Sequence, residues 1–529
     1  VKPSAFVQSN IARLTLKLKP NFLDIALLLF PVTLLLRVPN DPDLWWHLRV
    51  GQDILRGIWP FGDTYTWSMP GFAWVDHEWL TNLLMYGIFR ATGLLGLGAV
   101  FILIGLCAYG VAAHTGWLIA SSVTGPSPSR AAGWRLAAIV MIGGLAANYG
   151  ILGTRAQMIT LLGFALVNLL LWQYLLGKRR TLWVLPVLFA LWANLHGGMV
   201  IGIFHMGLCL LALLAAGLWP TLRQFFPFNL TEAAHYPRKV RHLMVVLVTS
   251  VVASLLNPYT YRIYEEALRT SLDSYARTQI QEWKALNFQE PIGLAVGIFL
   301  FLLVWWLLWS RRYHSAWHLL LFPVYLYLGV SSTRHSGLLV LFSLPWLYVA
   351  LAASPGVREF LDATVKRLFA IRAGRGLYIA YNSVVLLVPL GALLVQAQLF
   401  VRTSLDSVQL ARSVGYPYQA VAYLKSNAPP GTRLFNGYNW GGYLVWFFPE
   451  QKVFIDGRMP SWRDRDSAIL EEYVHIADLA PDWMELLRAR QVNLVLTPKD
   501  SVLATGLRQT AGFERAYEDD LAVVYRRTN

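Results

Sequence analysis

The amino-acid sequence predicts an α-helical polytopic membrane protein with about eleven transmembrane helices and a C-terminal extracytoplasmic α/β domain. Three observations lead there. Hydrophobic residues make up 56% of the chain and charged residues only 14%, whereas soluble globular chains are close to a quarter charged. Apolar runs near bilayer length recur between Asn21 and Phe400. They are continuous rather than alternating, which suits helices and not a barrel of period two. After Phe400 the apolar runs shorten to strand length and charges become frequent, the pattern of a compact α/β unit.

The runs lie near 21–39, 95–120, 134–149, 156–176, 181–195, 199–219, 241–257, 291–310, 316–331, 336–352 and 377–400. They divide the chain into a cytoplasmic N-terminal tail (1–20), a transmembrane region (21–400) and the terminal domain (401–529). Arg13, Lys17 and Lys19 precede the first run as they would in a signal peptide. No small-x-small cleavage site follows, so a retained span is expected. Alternate threading from a cytoplasmic N-terminus puts the basic clusters on the cytoplasmic side, as the positive-inside bias requires. These are Arg130 and Arg135; Lys178, Arg179 and Arg180; Arg223, Arg238, Lys239 and Arg241; Arg311 and Arg312; and Arg358, Lys366, Arg367, Arg372 and Arg375. The opposite side receives loops 40–94, 150–155, 196–198, 258–290 and 332–335 and the chain after Arg402, which hold nearly all the acidic, His and Trp-rich features. Within the first outer loop, WLTNLLMYGIFRATG (Trp79–Gly93) is expected to be an interfacial helix on the outer leaflet. The implied localisation is the plasma membrane, of the bacterial inner-membrane kind.

The net charge of +15 does not indicate nucleic acid, because the basic residues sit in short clusters between apolar runs and form no stripe with a nucleic-acid motif. Cys107 and Cys209 fall inside apolar runs, with no CxxC pair and no disulfide framework. No Walker loop, GxSxG, HExxH or GxGxxG occurs, so soluble NTPase, hydrolase and dehydrogenase readings lack support.

The first constellation is DPDLWWHLRVGQDIL, directly after the first run. Asp41 suits an N-cap, Pro42 a first helical position and Asp43 the helix dipole. Trp45, Trp46, Leu48 and Ile54 would anchor the helix at the interface. Capping needs only one carboxylate, however, and two of them with His47 a turn later can bind a divalent cation or supply a base. The second constellation is WVDHEWL, with Asp76, His77 and Glu78: either a solvated helix start or a second carboxylate–imidazole set facing the first. Single polar residues then mark the outward ends of spans: Arg155, His196, Asn257, Arg334 and His335, with Glu282 and Trp283 in a long outer loop. Snorkelling or a helix C-cap explains each alone; several cations converging from different spans suit a lipid phosphate or pyrophosphate. In the terminal domain, helix-like YPYQAVAYLKSN stops at APPGT, and RLF, KVFID, VNLVLT and LAVVYRR are expected strands. There NWGGYLVWF reads as a Gly-rich turn entering an aromatic helix. FIDGR reads as a strand ending at Asp456 before Gly457 and Arg458, a structural Asp–Arg pair on its simplest reading.

The order of these features resembles the GT-C membrane glycosyltransferases over nearly the whole chain. DPDLWWHL and VDHEW take the place of that family's first-loop acidic motif, and Arg155 lies where such enzymes make donor-phosphate or metal contacts. NWGGYLVW followed by VFIDGR is similar to the terminal domain of oligosaccharyltransferase catalytic subunits, whose W-W-D-Y-G segment reads the acceptor peptide. Asn439-Trp440-Gly441-Gly442-Tyr443 lacks the Asp of that segment, and loop 150–155 has no DxD. A more distant similarity is to protein mannosyltransferases.

The resemblance implies a GT-C-like fold and transfer of a sugar from a polyprenyl-phosphate carrier to an outward glycan, lipid or protein acceptor, with membrane lipids as the other partners. It implies Asp41 or Asp43 as base or metal ligand, assisted by His77 and Glu78. Arg155, His196, Arg334 and His335 would lie at the donor phosphate, and Asn439, Trp440, Asp456 and Arg458 on the acceptor side. The one cofactor it allows is a divalent cation, Mg or Mn, at Asp41 and Asp43. The rival readings are a transporter or flippase of lipid-linked sugars, a polysaccharide polymerase or ligase, and a scaffold with a partner-binding terminal domain. A transporter calls for polar residues at mid-membrane, and the span centres here are free of Asp, Glu, Lys and Arg.

Overall fold

A computed structural model describes residues 22–123, 130–219, 236–310, 316–357, 359, 361, 375–464 and 468–528. The expected tail 1–20 and the basic residues Arg223, Arg311, Arg312, Arg358, Lys366, Arg367 and Arg372 lie outside the described residues.

Every expected span coincides with a helix: Phe22–Leu35, the second part of Trp79–Val123, Arg130–Ala147, Gln157–Leu175, Val184–Leu195, Met199–Leu218, Tyr236–Ser254, Pro291–Ser310, Ala316–Ser331, Ser336–Ala353 and Arg375–Leu405. Among the described residues, six helices are long and apolar enough to cross a membrane. The chain is accordingly an integral membrane protein. The span 333–353 is 89% buried and forms the middle of the bundle, whereas 383–405 is only 11% buried and lies on its rim. Pro31, Pro323, Pro345 and Pro389 sit inside helices, which membrane helices tolerate.

Helix Trp79–Val123 breaks at Gly93, whose φ of 66° and ψ of −165° are open to glycine and strained for other residues. The part before the break is the segment expected to be interfacial. It packs on helix Leu44–Leu55: Gln52 Nε2 donates to the Tyr86 hydroxyl at 3.1 Å, and a methyl group at Gly51 would lie 2.1 Å from the Asn82 carbonyl.

The loops expected to share a side do meet at one end of the bundle. Arg37 donates to the carbonyls of Tyr149 and Leu152, Trp79 Nε1 to Asn194, Tyr259 to the Pro60 carbonyl and Gln157 to the Arg334 carbonyl. Away from them, Arg135 pairs with Asp24 at 2.7 Å and reaches the Leu361 carbonyl.

The rim helix runs to Leu405, so the terminal domain opens at Asp406, whose side chain caps helix Ser407–Val414 by accepting from the amides of Val408 and Gln409. Gly415, at φ 87°, closes that helix in the left-handed conformation. The domain is built on a four-stranded sheet of order β1-β2-β4-β3, with β1 Leu434–Asn436, β2 Leu494–Pro498, β3 Phe513–Glu518 and β4 Ala522–Arg527. β1 and β2 are parallel, and β2–β4 and β4–β3 antiparallel. The crossover between β1 and β2 carries helices Gly441–Phe447, Ile469–Ala477 and Trp483–Ala489.

Two strand expectations are corrected. KVFID is no strand: within it Val453 alone makes a parallel bridge, to Thr66 in the first long loop. Phe513–Glu518, by contrast, is a strand. None of its residues is buried, and its charged side chains leave no apolar alternation, in keeping with its place at the sheet edge.

The domain is seated on helix Leu44–Leu55. Trp45 is 2% exposed and meets the rings of Tyr416, Tyr443, Trp446 and Phe447, with centroids 4.7–6.5 Å away. Trp45→Ala is expected to destabilise the protein by about 3–5 kcal/mol through the cavity left behind. Limited proteolysis should then release the terminal domain at concentrations that leave the wild type intact.

Candidate functional site

Helix Leu44–Leu55 takes Asp43 as its N-cap, with no side-chain cap hydrogen bond, rather than the expected Asp41; Asp41 Oδ1 instead accepts from the Asp43 amide at 2.9 Å in the turn before it. Asp41 Oδ2 is 2.5 Å from Nε of Arg155, and Nη2 of the same guanidinium is 2.5 Å from Oε1 of Glu282. Three loops far apart in sequence are thus tied through one cation. Burial disfavours charge on Arg155, but Asp41, Glu282 and Asp43 outweigh it and hold the guanidinium more firmly charged. Ser332 Oγ donates to the Glu282 carbonyl at 3.3 Å, which brings in the 332–335 segment. Arg334 lies over the face of Trp283 at 5.9 Å, within cation–π range. His335 sits beside it in the same short helical turn.

Asp43 accepts from Trp46 Nε1 at 2.9 Å. Its other neighbour is the backbone of the terminal domain: a methyl group at Gly457 would stand 1.8 Å from Asp43 Oδ1, and one at Gly442 would stand 2.6 Å from the Pro42 carbonyl. The glycines of NWGG and FIDG therefore let the terminal domain close onto the acidic motif. Burial and the Asp41 charge push the Asp43 carboxyl up to about 7, against the Trp46 hydrogen bond and Arg155, which favour its charged form. Tyr438, directly before NWGG, feels the charges of Asp43, Asp456 and Glu282, and burial together with these raises its hydroxyl well above the usual range.

A second cluster surrounds Glu78, whose side chain is 9% exposed. His196 Nε2 is 3.1 Å, His77 Nε2 3.4 Å and His47 Nδ1 3.6 Å from its oxygens. Burial alone would raise Glu78; the imidazoles reverse this and hold it well below the usual carboxylate range. Burial likewise opposes charge on His77, but hydrogen bonding and charge from Glu78 raise it to about 9.

The tautomer of His196 follows from its partners. Nδ1 accepts from the Gly198 amide at 2.9 Å and lies 2.7 Å from Thr160 Oγ1, so the proton resides on Nε2. Asn82 Nδ2 donates to both oxygens of Asp76 at 3.1 and 2.9 Å, which turns its Oδ1 to accept from His47 Nδ1 at 2.5 Å. Burial and the neighbouring Glu78 charge raise Asp76 to about 7. Nδ1 of His77 is buried without a hydrogen-bond partner, whereas Nε2 of His196 faces the Glu78 carboxylate at 3.1 Å. With His77 held protonated by Glu78, its orphaned donor makes a place for an anion.

Glu78→Gln is expected to return the His77 pKa from about 9 towards its ordinary value of 6.5. Diethyl pyrocarbonate attacks neutral imidazole, so His77 should become reactive at mildly alkaline pH in this variant and stay protected in the wild type. Equal reactivity in both would contradict the pairing.

Asp41 and Asp43 do not present a cation site. Both Asp41 oxygens are engaged, one by Arg155 and one by the Asp43 amide. Asp43 Oδ1 is held by Trp46 and pressed by Gly457. Among the described residues no group of three or more His, Cys, Asp or Glu is arranged to hold a metal ion.

Of the residues expected on the acceptor side, Asn439 is exposed, and Trp440 is buried with Nε1 donating to the Gly415 carbonyl at 2.9 Å. Asp456 and Arg458 have fully enclosed side chains. Arg458 pairs with Asp456 through Nε and Nη2 at 2.9 and 2.6 Å and with Asp63 through Nη1 at 3.0 Å. The rings of Tyr65, Trp74 and Trp462 lie within 4.7–5.2 Å of its guanidinium carbon. This pair locks the terminal domain to the first long loop. Asp63, Asn82, Thr160 and Tyr438 are the residues that sequence reasoning missed. Only Asn82 carried a signal, one helical turn beyond Glu78 on the same face.

Beside Glu282 a small groove of about 70 Å3 opens to solvent, with Gln281, Asn287, Glu290 and Thr333 among its lining residues and no Lys or Arg.

No family model and no curated protein matches the sequence. Solved structures do match. The oligosaccharyltransferase of Archaeoglobus fulgidus in its apo form aligns over 92% of this chain and 70% of its own, with 12% identity and a TM-score of 0.50. The archaeal oligosaccharyltransferase AglB from the same organism, in complex with an inhibitory peptide and a dolichol-phosphate, aligns over 96% and 74% with 12% identity and a TM-score of 0.49. ArnT from Cupriavidus metallidurans in the apo state aligns over 95% and 96% with 15% identity and a TM-score of 0.48. At this identity the likeness to the oligosaccharyltransferase is one of fold, in agreement with the fold expected from the sequence.

Proposed function

We propose that this protein is a glycosyltransferase that moves a sugar from a polyprenyl-phosphate carrier to an acceptor, on the side of the membrane that carries the terminal domain. The observation that supports this most is the convergence at one end of the bundle of a carboxyl raised to about 7, Asp43, with the buried orphan donor of His77 and the Arg334 cation over Trp283. The fold likeness to an enzyme named as an oligosaccharyltransferase agrees with it.

In this reading Asp43 takes the proton of the acceptor hydroxyl as the oxygen attacks the anomeric carbon. The bond from that carbon to the carrier phosphate breaks, and the phosphate leaves with the electron pair. His77 and Arg334 receive its charge, with His196 held beside them by Glu78, where preorganised donors favour the transition state over the ground state. His335 stands behind Arg334. Glu78 keeps His77 protonated, and Arg155 positions Asp41 and Glu282 around the reacting groups. The acceptor enters along the face of the terminal domain bearing Tyr438 and Asn439, with Trp440, Asp456 and Arg458 holding that face in place. The cation-free groove beside Glu282 offers a wall for sugar hydroxyls. The N-terminus lies in the cytoplasm and the terminal domain outside it, with about eleven spans between them.

The test uses purified protein in vesicles with a polyprenyl-phosphate sugar labelled in the sugar. Transfer releases the label from the carrier. A flippase moves the head group across the bilayer with the carrier–sugar bond intact, and that outcome would replace the present reading.

A further inference from the structure

We propose that Arg155 is a built-in cation occupying the place a divalent metal would take, so that the acidic motif works without one. Two carboxylates, those of Asp41 and Glu282, contact the same guanidinium, each at 2.5 Å and each from a different loop, and Asp43 adds a third negative charge nearby. A hard divalent ion in this position needs about six oxygens at 2.0–2.6 Å. Here Asp41 Oδ1 is spent on the Asp43 amide, Asp43 Oδ1 on Trp46, and Asp41 Oδ2 and Glu282 Oε1 on Arg155 itself.

The guanidinium is also held from behind. Arg155 lies directly before helix Gln157–Leu175, whose Met158 amide donates to its carbonyl at 3.0 Å. The preceding turn is pinned to the first helix by Arg37. Arg155 cannot lose its charge, and its planar fork meets two carboxylates at once. Lys in the same place would offer a point charge and no fork. The geometry thus supplies through the chain what the Asp41–Asp43 pair was expected to obtain from Mg or Mn.

The activity arm of this inference rests on the transfer reading; the ion-binding arm does not. Purified protein stripped with a chelator is titrated with Mn2+ and followed by electron paramagnetic resonance, alongside Asp41→Asn, Arg155→Lys and Arg155→Ala. The wild type and Arg155→Lys are expected to bind no Mn2+ that Asp41→Asn abolishes. Arg155→Ala, with its carboxylates exposed to one another, should gain an Asp41-dependent Mn2+ site. Transfer by the wild type should be unchanged by chelation. Arg155→Ala should lose about 100-fold and recover in part on adding Mn2+. Stoichiometric, Asp41-dependent Mn2+ binding to the wild type overturns the proposal, and that arm decides even if Arg155→Ala does not fold. A wild type that binds no Mn2+ and transfers no sugar would instead remove the transfer reading and leave the ion result standing.

Discussion

Asp43→Asn is expected to lower sugar transfer by about 10²–10⁴-fold, the range associated with a lost general base, while leaving the protein at least as stable as the wild type. The two halves of this expectation have one cause. Burial and Asp41 raise the Asp43 carboxyl from 3.8 to about 7, so the folded chain holds a proton there that the unfolded chain gives up near pH 4. Stability therefore falls as pH rises from about 4 through about 7, where the folded state binds more protons than the unfolded. Asparagine imitates the protonated form and removes that loss. The wild-type rate should rise with pH through about 7 as the base ionises, and the residual rate of the variant should lack this limb. Asp41→Asn is predicted to differ, because it deprives Arg155 of a buried partner and should lower stability as well as rate. Rate profiles and thermal unfolding at pH 6 and pH 8 for the three proteins check all of this. A full wild-type rate in Asp43→Asn would remove Asp43 as the base.

Arg458→Ala is expected to destabilise the protein by about 3–5 kcal/mol, since it leaves charge buried without its partner. Asp456 and Asp63 would both be stranded, in a place where the Arg458 side chain is fully enclosed. The pair joins two parts of the chain, so the damage should appear at the seam between them. The Thr66–Val453 bridge and the Ser68 hydrogen bond to the Phe454 carbonyl should fail together with it. Chemical unfolding measures the size of the effect. Two cysteines replacing Thr66 and Val453 should cross-link readily in an otherwise wild-type background and poorly with Arg458→Ala. Unaltered stability would mean that the seam does not depend on this ion pair.

Helix positions were legible in the sequence because lipid imposes one rule on the whole membrane region: a continuous apolar run must close its own backbone hydrogen bonds. The grouping of loops at one end followed from the arginine clusters for a similarly global reason. Local chemistry was legible where a short segment acts within itself, as in the Gly-rich entry to helix Gly441–Phe447 and the Asp456–Arg458 pair. What failed depended on remote partners. KVFID has every local mark of a strand, yet its neighbour is Thr66 rather than another strand of the sheet. Asp63, Thr160 and Tyr438 are ordinary loop and helix residues until folding sets them against Arg458, His196 and Asp43. The two carboxylate partners of Arg155 lie 114 and 127 positions away in the chain, so its pairing with Asp41 and Glu282 left no local mark in the sequence.

A photoactivatable polyprenyl-phosphate analogue, with its reactive group next to the phosphate, would locate the lipid head group directly. If the pocket holds it, the label falls on His77, His196 and the Trp283–Arg334 pair, and unlabelled polyprenyl phosphate displaces it. Label spread along the exposed face of helix Arg375–Leu405, or adducts at the opposite end near Asp24 and Arg135, would contradict the placement of the donor.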